Sequence, residues 1–364
     1  VDKEIIAEAV GKKPVPGLAT RAQREALLAK NAPALALFRR AQALPYQDKP
    51  CRSFDALLPH YAKMRNVARL LYFSAKVKSE QGDYTGAVSD RLEVVEMGAR
   101  STHGSTLIGM LVGIAIEAIG RQDLWTSLPR LDAARARRGA QRLEAAAATR
   151  ARYADVLQEE QWAAQAGLME VFRQPGWRKK LQIQAVAPDP RWKISAFLVN
   201  KRETMRLYTD YTNQCIALSR HPYSKRHGKT VPYPTGDPIC DLILPVFEKA
   251  QLKDDVNRTF GALLTAGFAL QAYRKEHGRY PATLAALAPD YLRAVPVDVF
   301  ADGKPLCYKP AGAGYCLYSI GPDGIDNGGA PSRDGVRSAS IASSREQPIN
   351  TGSTGDIVAG VNTF

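Results

Sequence analysis

From Ala269 to Gly329 the chain reads A-L-Q-A-Y-R-K-E-H-G-R-Y-P, then Y-L-R-A-V-P-V-D, then G-Y-C-L-Y-S-I-G-P-D-G-I-D-N-G-G. No other stretch restricts the fold as tightly. A run of helix formers stops at Gly278, a residue suited to the left-handed turn that closes a helix. Pro281 opens a short helix through Leu287. Leu306–Tyr308 and Tyr315–Ser319 then alternate as the strands of a hairpin with Ala311-Gly312 at its tip. An Asp/Gly-rich loop over 321–355 follows, and a loop of that length needs a tie to stay ordered. The helical pattern reaches back to Leu242. The region therefore predicts an α+β unit: one long amphipathic helix, 242–277, packed on a small antiparallel sheet.

Upstream the pattern is helical. Prolines interrupt residues 1–60, and from Tyr61 apolar residues recur at Val67, Leu70 and Leu71, then at Val88, Leu92 and Val95, the spacing of a buried helix stripe. Gly82-Asp83-Tyr84 turns between these two helices. A second pair, Leu107–Ile119 and Leu124–Leu131, surrounds Gly120-Arg121-Gln122-Asp123, 38 residues on, close to the period of helical repeats. Gly109 and Gly113 in the apolar run allow close helix packing. That run is short of the roughly 20 residues that cross a bilayer. Residues 130–173, rich in Ala, Arg, Glu and Gln, predict one or two long helices broken near Gly139. The Pro/Gly-dense segment ending H-G-K-T-V-P-Y-P-T-G-D-P marks a boundary. The division is thus a helical domain over 1–240, with a basic loop at 177–240, and an α+β domain over 241–364.

The formal net charge of +14 is uneven. Residues 178–229 hold twelve Lys/Arg against three acids, whereas 230–364 hold twelve against fourteen. A basic patch of Arg178, Lys179, Lys180, Lys225, Arg226 and Lys229 can attract a polyanion or nucleic acid, and an adaptor of that kind is the alternative function. No nucleic-acid-binding motif accompanies the patch, so nucleic acid is the less favoured partner.

Five cysteines form no C-x-x-C pair and predict no zinc site. Cys307 and Cys316 flank the hairpin turn; opposite one another, they would form either a disulfide or two unpaired thiols. A disulfide would favour an extracytoplasmic location. The histidines are scattered, Tyr223 stands where a phosphate loop before Gly228-Lys229-Thr230 needs glycine, and no G-x-S-x-G occurs. Glu159, Glu160, Asp254 and Asp255 read as solvated helix-surface carboxylates. Asp323 and Asp326, set among glycines, offer carboxylates and freely turned carbonyls of the kind calcium needs. A turn sequence is the other reading of the same residues.

The helix–G-R-Y-P junction, the V-P-V-D-V-F-A-D-G-K-P-L connection and Y-S-I-G-P-D-G together resemble the globular part of the major pseudopilin of type II secretion systems. The resemblance covers 242 onward. It implies a pilin-like domain and a calcium ion pinning the loop through Asp323, with Asp356 of the returning G-D-I as a second ligand and Asp326 as an extra one. The connection differs from the family's: Val299 replaces its proline, and Ala301-Asp302 lengthens the turn. The family's long hydrophobic helix is missing, since only L-I-L-P-V-F precedes the soluble helix. Any membrane anchor would lie upstream of Val1. In the helical part, Gly82, Asp83, Tyr84 and Ala87 resemble a tetratricopeptide hairpin, which implies stacked antiparallel helices that bind a protein partner. The expected function is non-enzymatic: a structural, scaffold or assembly protein of a bacterial cell envelope or periplasm, related to secretion or pili, binding protein partners or its own copies.

Overall fold

The structure, a computed structural model, describes residues 20–178, 199–234, 236–244, 247–332 and 349–363. The long helices are α1 (Arg21–Lys30), α2 (Ala32–Ala41), α3 (Pro59–Glu80), α4 (Tyr84–Arg100), α5 (Leu107–Arg121), α6 (Ala133–Thr149), α7 (Tyr153–Arg173), α8 (Lys201–Ser219) and α9 (Phe247–His277). Short helical turns lie at Leu124–Ser127, Leu128–Arg130, Tyr223–Arg226, Pro238–Ile243 and Leu284–Leu287. Strands β1 (Cys307–Ala311), β2 (Gly314–Ser319) and β3 (Ile357–Val358) form one antiparallel sheet in the order β1-β2-β3. The protein is mostly helical, with this small sheet near the C-terminus. Among the described residues no helix is long and apolar enough to cross a membrane.

Side-chain caps start several helices. Asp83, Asp132, Asn200 and Asp237 each accept a backbone N–H from the first turn of α4, α6, α8 and Pro238–Ile243, respectively, each cap contributing about 1 kcal/mol. At the far end of α9, Gly278 has φ +72° and donates its N–H to the Arg274 carbonyl. Between α4 and α5 the backbones almost touch. A Cβ on Gly113 would sit 2.7 Å from the Gly98 carbonyl oxygen, and one on Gly120 would sit 2.8 Å from that of Arg91. The small residues of the apolar run thus serve helix packing, as their spacing indicates.

Several local expectations change. The helix predicted from Leu242 begins at Phe247, after Pro238–Ile243 and the separate residue Leu244. Gly139 does not break α6; it makes room for the Phe268 ring, whose Cδ1 would lie 2.4 Å from a Cβ at that position. The break comes instead at Arg150–Arg152, where Arg150 takes an extended backbone (φ −70°, ψ 134°). Nor is α9 amphipathic along its length: all ten residues from Leu263 to Ala272 are buried. A helix buried on every side needs partners on every side. Here α6 and β2 are among the elements that pack on it.

That packing joins the two halves. One hydrophobic cluster contains Val88, Leu92 and Val95 of α4, Leu143 of α6, Leu263 and Phe268 of α9, and Leu317 and Ile357 of the sheet. Each such large side chain buried contributes roughly 1.5–3 kcal/mol. The 240/241 boundary therefore marks a change in sequence character and not a gap between cores.

Candidate functional site

Six polar side chains meet where α5, α6 and α9 converge, with an Asp255–Arg226 pair alongside. Arg150, at the C-terminal end of α6, donates through Nη2 to Glu117 of α5 and through Nη1 to Asp254 of α9 at 3.3 Å. Glu117 also accepts from Asn257 at 3.0 Å and from Arg121 at 3.3 Å. Arg121 Nη2 reaches the Asn257 Oδ1 at 2.7 Å. Arg258 Nε holds Asp254 at 2.6 Å, and its Nη2 donates to the Ala151 carbonyl at 2.8 Å. Alongside, Asp255 lies 2.7 Å from Arg226. Asp254 and Asp255 are only 2% and 5% exposed, which corrects their reading as solvated. A carboxylate in such a place must be paired, because burial alone would neutralise it.

The pairing is uneven. Asp254 is held by two guanidinium groups, whereas the Asp255 Oδ2 has no aligned hydrogen-bond donor despite its short approach to Arg226. Burial consequently dominates and pushes Asp255 up to about 6, against the opposing pull of Arg226. The other carboxylates read as solvated are also engaged. Glu159 pairs with Arg52 at 3.0 Å, and Glu160 accepts the Leu107 N–H at 2.9 Å while burial raises its pKa.

Beside this layer lies a cleft of about 400 Å³. Its walls are mostly apolar and come from α4, α6, α9 and the segment 294–299, with Glu117, Glu144, Arg150, Asn257, Arg258 and Thr265 as its polar part. Its lip is fastened down: Glu144 accepts the Arg293 and Ala294 N–H groups, and the Leu306 N–H donates to the Pro296 carbonyl.

The predicted calcium ligands converge in the C-terminal loop, but on N–H donors. Asp323 accepts from Ile325 and Gly355, Asp326 from Gly328 and the Tyr318 hydroxyl, and Asp356 from Asn327 and Gly329. Asp356 is fully buried, and burial raises its pKa, with Asp326 and Asp323 adding to the rise. Among the described residues no group of three His, Cys, Asp or Glu side chains is placed to hold a metal. The donor set fits calcium poorly, because backbone N–H groups already face these oxygens and supply the loop's tie. A second buried carboxylate, Asp298, works the same way, accepting from Phe300, Ile320 and the Ser319 hydroxyl. Sequence reasoning passed over it, although V-P-V-D before a glycine-bearing turn is a cue for such a staple.

The hairpin register moves the cysteines. Ala311 pairs with Gly314, so the tip is Gly312-Ala313 rather than Ala311-Gly312. Cys307 faces Tyr318 and Cys316 faces Lys309. The two thiols are diagonal instead of opposite, and both are free. Cys316 lies beneath the aspartate loop, its sulfur 2.6 Å from where a Cβ of Gly329 would stand.

Of the described residues of the basic patch, two are engaged and two are open to solvent. Arg226 is spent on Asp255, with only 11% of its side chain exposed. Arg178 stacks on Trp177 and donates to the Val199 carbonyl. Lys225 and Lys229 are exposed; Lys179 and Lys180 lie outside the described residues.

One apolar surface does stand out. Along α7, Trp162 and Met169 are 46% and 44% exposed, and beside them Phe54 packs over Gly167 while remaining half exposed. Arg52, Met169, Glu170 and Arg173 line the shallow groove between segment 52–56 and α7. Comparison of the chain with protein-family models, with curated proteins and with solved structures found no match in any of the three.

Proposed function

We propose that this protein is a non-catalytic structural protein of a bacterial envelope that assembles with further copies of itself through the outer face of α7. The observation that carries this reading is the cluster of Trp162, Met169 and Phe54, large apolar side chains each about half exposed beside the groove between segment 52–56 and α7. Exposed aromatic and methionine side chains of this kind are typical anchors of protein contacts. The charges beside them, Arg52 and Arg173 with Asp55 and Glu170, are two of each sign and all exposed. Such a patch complements its own copy across a twofold axis. The envelope location rests on the likeness of the C-terminal third to pseudopilins. The joining of both halves in one core supports a shape-giving role.

Sedimentation velocity of the full chain over a concentration series tests the reading. A concentration-dependent dimer is expected, with Trp162→Glu shifting it to monomer while leaving the melting temperature unchanged. A chain that stays monomeric at the highest concentration, or a dimer untouched by that substitution, refutes it.

A further inference from the structure

Every polar side chain lining the cleft beside the buried charges is already matched within the protein. Glu117 and Glu144 offset Arg150 and Arg258, two acids against two bases, and Arg258 also pairs with Asp254. Glu144 accepts two backbone N–H groups, Asn257 donates to Glu117 and accepts from Arg121, and Thr265 donates its hydroxyl to the Gly261 carbonyl. What the lining leaves without a partner is apolar surface. Val95, Leu143, Ala146 and Ala262 supply the walls, and Pro296 and Val297 the lip, where Val297 is 48% exposed. Small residues leave the space open: at Gly261 an added Cβ would meet no atom within 4 Å. The cleft's volume of about 400 Å³ lies within the range of small-molecule sites. A charged guest would give up its hydration there and find no opposite charge to spare. An uncharged apolar guest gives up no polar contact, and it takes itself, the walls and Val297 out of water.

We propose that this cleft binds an uncharged hydrophobic small molecule, seated between α4, α6 and α9 beneath the lip at Pro296 and Val297. The balanced charges at its inner end select against ions of either sign, and the apolar walls supply the affinity. The cleft shares no residue with the groove beside α7, so this binding does not depend on self-assembly.

Fluorescence titration of the full chain with N-phenylnaphthylamine, a neutral dye that brightens in apolar surroundings, tests the proposal. Saturable one-to-one binding is expected, with decanol displacing the dye at a lower concentration than decanoate. Anilinonaphthalene sulfonate, which carries similar rings and a negative charge, should bind more weakly by about tenfold or more. Gly261→Leu fills the open space, suits a helix better than glycine, and should weaken dye binding at least about tenfold. Val297→Glu, at an exposed position of the lip, sets a fixed charge at the mouth and should weaken it as well. Trp162→Glu should leave the affinity unchanged. The proposal fails if the neutral dye gives no saturable binding or if the anionic dye matches it. It fails equally if decanoate competes as well as decanol, or if Gly261→Leu and Val297→Glu bind as the unaltered chain does. Loss of binding in Trp162→Glu would place the dye on α7 and also overturn it.

Discussion

Replacing Glu117 with Gln removes one charge from the centre of the buried layer and almost nothing from its volume. Glu117 is 5% exposed and accepts from Arg121, Arg150 and Asn257. Glutamine keeps one acceptor oxygen but turns an amide donor toward groups that are themselves donors. Arg150 retains Asp254 on its other nitrogen, while Arg121 keeps only Asn257. Breaking a buried ion pair from one side costs roughly 3–5 kcal/mol, because the partner charge stays buried without compensation. The same pair in water would be worth about 1 kcal/mol or less, so the magnitude itself separates the two situations. The layer joins α5 and α6 to α9. The loss should therefore appear as a lower urea midpoint with an unchanged slope, shared by far-UV circular dichroism and tryptophan fluorescence. A loss below about 1 kcal/mol would mean that water reaches the layer and that it does not hold the halves together. A shift seen by one probe alone would show that the halves unfold separately.

Asp255 predicts a pH dependence. Its folded-state value of about 6 lies above the ordinary 3.8, so the folded protein binds that proton more tightly than the unfolded chain. The associated stability is present below the unfolded value and is lost as pH rises through about 6, by roughly 2–3 kcal/mol in all. Urea titrations of the unaltered protein and Asp255→Asn between pH 4 and 7 should show their difference drifting by that amount; parallel curves would contradict it. Gly113→Ala should cost about 1–3 kcal/mol by overpacking, because its Cβ meets a backbone carbonyl that cannot step aside; an unchanged melting temperature would disprove so close an approach of α4 and α5. Asp356→Asn turns a donor toward the Asn327 and Gly329 N–H groups and should cost about 1–3 kcal/mol, measured by thermal melting. Calcium or chelator should leave the melting temperature of the unaltered protein where it was, and a calcium-dependent rise would show that the loop binds the ion after all.

Local features were legible wherever the signal is carried by neighbours in the chain. The turn at Gly82-Asp83, the close of α9 at Gly278 and the hairpin around Gly312 follow from backbone preferences that one or two residues express. The burial of Val88, Leu92 and Val95 follows from helical spacing. The hairpin register was not legible to the residue, because P-A-G-A-G accepts a tip at either of two places. Moving the tip along it changes which side chains face each other. The aspartate loop was legible as a place where carboxylates gather. Its sequence could not say whether their oxygens would meet a cation or N–H groups, because both solutions use Asp beside Gly.

Sequence alone determined that this chain is a helical stack followed by a helix, a hairpin and a tied loop, since each of those rests on short-range periodicity and turn chemistry. Tertiary structure alone decided that Asp254 and Asp255 are buried, that Gly139 admits Phe268, and that both halves share one core with a cleft at its charged edge. The physical reason is that a carboxylate on a helix looks the same in sequence whether it faces water or an arginine. Arg258, one turn along the same helix, is a local partner of Asp254, but the guanidinium groups of Arg150 and Arg226 come within reach of Asp254 and Asp255 only through the packing of distant segments.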